Sequence, residues 1–158
     1  MNINITPITP DDYQSAIKVI QRSISISQGT IYPTILTDEL CKKYDYDNFL
    51  EKIKEIEYFV AKIDGEKEVV GIIGLTINDN RLRSFFVDPD MQGKGIGRLL
   101  YEYLEQVARK RGLTKLVLEG SPLGEPIYEK FGFKQIRTLY KEKAGIPYTD
   151  AYMEKILE

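Results

Sequence analysis

The stretch Val87-Asp88-Pro89-Asp90-Met91-Gln92-Gly93-Lys94-Gly95-Ile96-Gly97-Arg98-Leu99-Leu100 joins the end of a strand-like run to the start of a helix. Upstream, Leu82 to Val87 is rich in aromatic and branched residues, as a strand is. Downstream, Ile96, Leu99, Leu100, Tyr103, Leu104, Val107 and Ala108 recur at helical spacing, so an amphipathic helix begins at the last glycine. Glycines set this closely let the backbone approach a ligand without Cβ interference. The first turn of the helix carries unpaired N–H groups and the positive end of a dipole. Together these make a pocket for a pyrophosphate; a tight turn with close strand–helix packing and no ligand is the competing explanation. Spacing separates the phosphate binders. A Walker loop needs Ser or Thr after Gly-Lys, and here Gly95 follows. A dinucleotide fingerprint needs Gly-x-Gly-x-x-Gly, and here the order is Gly93-x-Gly95-x-Gly97.

Outward from this loop the chain reads as alternating short elements. Ile3 and Ile5 alternate with polar residues, as in an edge strand. Thr9-Pro10-Asp11-Asp12 opens a helix carrying Tyr13, Ala16, Ile17, Ile20 and Ile24. Residues 25 to 37 read as a loop. Thr37 and Asp47 then read as caps of two short helices, the second burying Phe49, Leu50, Ile53 and Ile56. Strands are expected over Tyr58–Ile63, Val69–Ile77 and Leu82–Val87; the tight turns at Asp64-Gly65 and Asn78-Asp79-Asn80 imply an antiparallel meander. After the helix, which Arg109 to Gly112 closes, come a strand at Lys115–Glu119 and a short helix at Glu125–Lys130. Two strands, Lys134–Lys143 and Ile146–Leu157, pair across Ala144-Gly145. This order describes a mixed α/β (α+β) sandwich, one domain over residues 1–158.

Composition narrows the chemistry. The 158 residues carry a formal net charge of −2 with both signs interspersed, which argues against a nucleic-acid partner. No apolar run approaches the ~20 residues of a membrane-spanning helix, and the start, Met-Asn-Ile-Asn-Ile-Thr, does not resemble a signal peptide, so a cytoplasmic protein without a membrane partner is expected. Histidine is absent, which excludes Ser-His-Asp and Cys-His catalysis and any histidine-ligated metal. The single cysteine, Cys41, forms no internal disulfide and reads as a small buried hydrophobe; no metal is expected.

Val87-Asp88-Pro89 followed by Met91 to Gly97 resembles the acetyl-CoA-binding signature of the GCN5-related N-acetyltransferases (GNAT). The segment Ser121-Pro122-x-x-Glu125-Pro126-Ile127-Tyr128-Glu129-Lys130-Phe131-Gly132-Phe133 resembles that family's C-terminal Tyr-x-x-x-Gly-Phe block. The resemblance implies a mostly antiparallel twisted sheet of about seven strands with helices on both faces, and acetyl-CoA as co-substrate. It assigns the pantetheine arm to the backbone of Phe85, Phe86 and Val87, with the Val87 N–H also polarising the thioester carbonyl. The pyrophosphate falls to the amides of Gly93, Lys94, Gly95, Ile96, Gly97 and Arg98 in the loop that begins at Gln92. Ser121 is placed near the thiol or pantetheine arm, and Tyr128 as the acid that protonates the leaving thiolate. Many relatives carry a glutamate near the start of the strand before the loop, where this chain has Arg81 and Arg83. Glu119 is the candidate base in its stead, if burial raises its pKa; a water chain is the other route.

The resemblance assigns acceptor choice to residues 25–58. Asp38, Glu39, Asp45 and Asp47 make that segment acidic and Tyr32, Tyr44 and Tyr46 make it aromatic, which suits a cationic amine, although an ordinary solvated helix face has the same composition. The expected reaction is acetyl transfer to a primary amine of a small molecule or protein by direct attack in a ternary complex. The alternative is a non-catalytic acyl-CoA-sensing module. A homodimer through the C-terminal strands is compatible with the sequence, which does not itself establish one.

Overall fold

The computed structural model describes residues 1–76 and 78–158; Ile77, expected as the last residue of a strand, lies outside the described residues. Ile3–Pro7 forms β1 at one edge of the sheet. The Thr9 N–H donates to the Asp12 carboxylate at 3.0 Å, starting a 3-10 turn that runs into helix α1, Tyr13–Arg22. The helix does not stop at Arg22. It widens into a π-helical turn over Ser23–Ser27 and a 3-10 turn over Gln28–Thr30, although a loop was expected from residue 25 onward. Ile24, at the next helical step after Ile20, is buried and draws the chain onward in helical form.

Helices α2 (Thr34–Lys42) and α3 (Tyr46–Ile53) follow. Their starts differ from the sequence expectation. Pro33 precedes α2, and Thr37 sits within it, its hydroxyl donating to the Thr34 carbonyl at 3.1 Å. Asp45, not Asp47, caps α3 by accepting the Asn48 N–H at 2.8 Å. Phe49 is fully buried, but Leu50 faces outward.

The remaining strands are β2 (Glu57–Ile63), β3 (Val69–Thr76), β4 (Arg81–Val87), β5 (Lys115–Gly120), β6 (Lys134–Lys143) and β7 (Ile146–Ile156). Between them lie α4 (Ile96–Lys110) and α5 (Glu125–Lys130). The order across the seven-stranded sheet is β1-β2-β3-β4-β5-β7-β6, antiparallel throughout except where β4 meets β5. That parallel contact is held at one register position, Arg81 opposite Val117, with the Val117 N–H donating to the Asn80 carbonyl at 3.0 Å. Beyond it the two strands part.

Side-chain alternation builds a core on each face. Phe59 and Ala61 face α4 with Leu100, Leu104 and Ala108. Tyr58 and Val60 face α1 with Ala16, Ile17 and Ile20, and the Tyr58 ring stacks on Phe49 at 5.2 Å. A bulge in β4 re-aims the strand beside the gap. There Ser84 adopts φ +54°, and its hydroxyl meets those of Tyr44 and Tyr58 at 2.9 and 3.1 Å.

Candidate active site

A cleft of about 680 Å³ opens where β4 and β5 separate, within the ~300–1,000 Å³ of small-molecule sites. Of the residues assigned to donor binding, Phe85, Phe86, Val87, Gln92, Gly93, Gly95, Ile96, Gly97, Arg98 and Ser121 line it, and Lys94 does not. Gly93 and Gly95 sit at φ +78° and +84°, a left-handed backbone that other residues adopt at a cost, and Gly95 is the residue from which α4 starts.

Register fixes the direction of the Val87 backbone. The Asp88 N–H donates to the Val70 carbonyl at 2.9 Å, so the neighbouring pair Gly71–Val87 is a non-hydrogen-bonded one. The Val87 N–H and carbonyl therefore point away from β3, toward the gap. The Gln92 side chain donates to that carbonyl at 3.2 Å and to the Ser27 hydroxyl at 3.1 Å, tying the loop to the π-helical turn. The same alternation turns the Phe86 backbone toward Ile72 in β3, away from the edge where it was expected to meet the donor, while its ring packs against Tyr44 at 5.7 Å.

These features fit a long acyl thioester with a phosphate tail: an open strand edge, apolar walls, and a helix start lined by glycines. The walls include Ile26, Ser27 and Gln28, which the sequence reading had given to the acceptor side. The continuation of the α1 apolar stripe to Ile24 is the signal that this segment stays helical and packs near the loop. On the same side Arg22 pairs with Asp88 at 3.1 Å and Asp90 at 3.0 Å, fastening α1 to the segment before the glycines.

Tyr128, on α5, lines the cleft, its ring 6.0 Å from Phe85 and 6.1 Å from Phe133. Gly124 makes this possible, because a Cβ there would stand 2.8 Å from the tyrosine ring. Burial pushes the Tyr128 phenol above its ordinary pKa, with Tyr44 and Asp150 adding to it, so the group is protonated at neutral pH. Tyr44 and Tyr58 share the Ser84 hydroxyl, whereas the Tyr128 hydroxyl has no such partner among the described residues.

A second cavity, about 270 Å³, adjoins the first and shares Gln28, Phe85, Phe86, Ser121 and Tyr128 with it. Glu119 lines this cavity but is not poised as a base. It is paired with Arg81 and with Lys141 at 2.7 Å. Burial pulls its pKa upward, but Lys141 and Arg81 outweigh burial and hold the carboxyl below its usual range, opposite to the expected rise. The acidic residues expected to face the acceptor lie elsewhere. Asp38 and Glu39 border a separate hollow, Glu39 pairs with Lys42, and Asp45 is spent on its cap. Tyr32 and Tyr44 do line the cavity, while Tyr46 does not.

Residues 26–157 match the family described as the acetyltransferase (GNAT) domain. The chain is 34% identical over 96 residues to the peptidyl-lysine N-acetyltransferase YjaB of Salmonella typhimurium, covering 61% of this chain and 63% of that protein. It is 23% identical over 152 residues to the uncharacterized N-acetyltransferase YafP of Escherichia coli, covering 96% and 95%. In fold it is similar to a GCN5-related N-acetyltransferase from Rhodopseudomonas palustris, with a TM-score of 0.89, 21% identity and coverage of 99% and 97%. It is similar also to the PaiA N-acetyltransferase of Thermoplasma acidophilum in complex with coenzyme A, with a TM-score of 0.81, 24% identity and coverage of 99% and 100%. With the match spanning both the glycine loop and the Tyr128 helix, the chain belongs to the acetyltransferase (GNAT) family, the N-acetyltransferases that draw their acetyl group from acetyl-coenzyme A.

Proposed function

We propose that this chain transfers an acetyl group from acetyl-CoA to a primary amine by direct attack, with both substrates bound at once. The observation that carries the reading is that the donor cleft and the smaller cavity meet at Tyr128. A donor on one side and an amine on the other then reach the same point without a covalent enzyme intermediate. Nothing in the comparisons favours a non-catalytic sensor, and relatives named for peptidyl-lysine and for ribosomal-protein alanine acetylation both use amine acceptors.

Acetyl-CoA supplies a thioester that a neutral amine can attack and a thiolate that can leave. The open edge of β4 and the first turn of α4 hold the donor, with Arg98 beside the phosphates. The Val87 N–H serves as the hydrogen-bond donor to the thioester oxygen, where charge develops. Tyr128 gives its phenolic proton to the departing sulfur, a thiol of pKa about 8.5 once protonated. With Glu119 held in ion pairs, water in the smaller cavity removes the amine proton.

Tyr128→Phe tests the assignment. It is expected to lower kcat by ~10²-fold, the lower range for general acid catalysis, while the Kd for acetyl-CoA stays unchanged. An unchanged kcat would remove Tyr128 from the mechanism.

A further inference from the structure

The smaller cavity is lined by five cationic side chains, Lys43, Lys52, Arg81, Arg83 and Lys141, against two carboxylates, Glu119 and Asp150. The carboxylates are already engaged. Lys141 bridges Glu119 at 2.7 Å and Asp150 at 3.0 Å, and Arg81 takes Glu119 as well. Arg83 pairs at 3.3 Å with Asp79, which does not line the cavity. Lys43 and Lys52 have no carboxylate partner among the described residues; the nearest compensation is the Tyr44 ring, 5.1 Å beneath the Lys52 ammonium.

Lys52 is half-buried and Lys43 exposed, both without a counter-ion, and crowding them beside Arg81, Arg83 and Lys141 is costly. The crowding also lowers their proton affinities. Burial, with Lys143, Lys141 and Lys52 nearby, pulls the Lys43 pKa down to about 8, and burial with Arg83 and Lys143 lowers that of Lys52. An anion entering the cavity would remove this cost.

Resting on the acetyl-transfer reading above, we infer that the acceptor is a primary amine carrying an anionic group, a carboxylate or phosphate, which Lys43 and Lys52 bind while the amine faces Tyr128. A polyamine or other dication is disfavoured by the same lysines. The arrangement also bears on the missing base. Surplus positive charge around a bound ammonium favours its neutral form, which is the nucleophile. In the transfer the amine nitrogen bonds to the acetyl carbon as the carbon–sulfur bond breaks. The nitrogen gives one proton to water and the sulfur takes one from Tyr128, which water restores.

The test is a panel of matched amines with saturating acetyl-CoA: O-phosphoethanolamine, β-alanine, ethanolamine and putrescine, with free CoA thiol as readout. The expected result is a kcat/KM about tenfold or more higher for phosphoethanolamine or β-alanine than for ethanolamine or putrescine, the more reactive of the two identifying phosphate or carboxylate as the group read. In the Lys43→Gln, Lys52→Gln double variant this preference should collapse toward unity with the KM for acetyl-CoA unchanged. Calorimetry with inorganic phosphate, on protein saturated with CoA to fill the donor cleft, should show binding that the double variant loses. Thiol release without preference for the anionic amines would overturn the inference and leave the acetyltransferase reading standing. Phosphate binding without thiol release from any amine would uphold the anion site and overturn the acetyl-transfer reading instead. Absence of phosphate binding in the wild type would also overturn the inference.

Discussion

Gly124 shows how much of the site depends on one missing methyl group. A Cβ at this position would stand 2.8 Å from the Tyr128 ring, which Phe85 and Phe133 hold from other sides. The ring has little room to yield, so an added carbon would displace the hydroxyl from the cleft. Gly124→Ala is expected to lower kcat by about tenfold or more, since small misplacements of catalytic groups are costly. Far-ultraviolet circular dichroism should stay unchanged, because Gly124 has an ordinary φ of −82° that alanine adopts freely. Tyr128 itself was legible in the sequence, because its block resembles a family segment. The partners that fix it were not, since ring contacts between β4, α5 and the turn before β6 are products of the fold.

At the scale of elements, Arg22 at the end of α1 reaches across to Asp88 and Asp90, on the segment between β4 and the glycine loop. These pairs couple the helix to the end of the strand whose Val87 N–H faces the cleft. Arg22→Ala is expected to raise the KM for acetyl-CoA severalfold, with a much smaller change in melting temperature, because the ion pairs lie near the surface. Steady-state kinetics beside thermal melting would check it. Strand positions were read well from sequence because each turn carries its own local signal, as at Asp64-Gly65 and Ala144-Gly145, where Gly65 lies at φ +82° and Ala144 at +53°. Helix starts were read less well. Thr37 and Asp47 are sound cap residues by type, yet Pro33 and Asp45 occupy the cap positions, because burial of Leu36 and Phe49 sets where each helix begins. The charge of the acceptor cavity was illegible for a different reason. Lys52, Arg81 and Lys141 come from α3, β4 and β6, so no window of sequence contains the cluster.

For the whole molecule, carboxylates set the acid limit. Asp12 is only 3% exposed and is held by Lys62 at 2.5 Å. Burial raises its pKa, but Lys62 and Thr9 more than offset this and leave it below 3.8. Glu105, between Lys155 and Tyr101, and Glu119 are lowered from 4.5 in the same way. A carboxyl whose pKa is lower folded than unfolded contributes stability above its unfolded value, and that contribution is lost as pH falls through the folded one. The midpoint of urea unfolding should therefore hold steady from pH 7 to about 5 and then decline progressively toward pH 3. Lys62→Met should reduce the acid-dependent part of the loss, as the Asp12 pairing would already be gone.

The single register position between β4 and β5 divides the sheet into two hydrogen-bonded ladders over a shared core. β1 to β4 form one continuous hydrogen-bonded block, and β5, β7 and β6 form another. Main-chain bonds join the blocks at the Asn80–Val117 corner alone among the described strand pairings. The block of β5 to β7 is then the natural unit of partial opening, and a donor lying along the open edge of β4 acts as a cross-link between the two. Occupancy of the site and cohesion of the sheet are then expected to rise together, so amide exchange in β5 to β7 should slow when coenzyme A is bound.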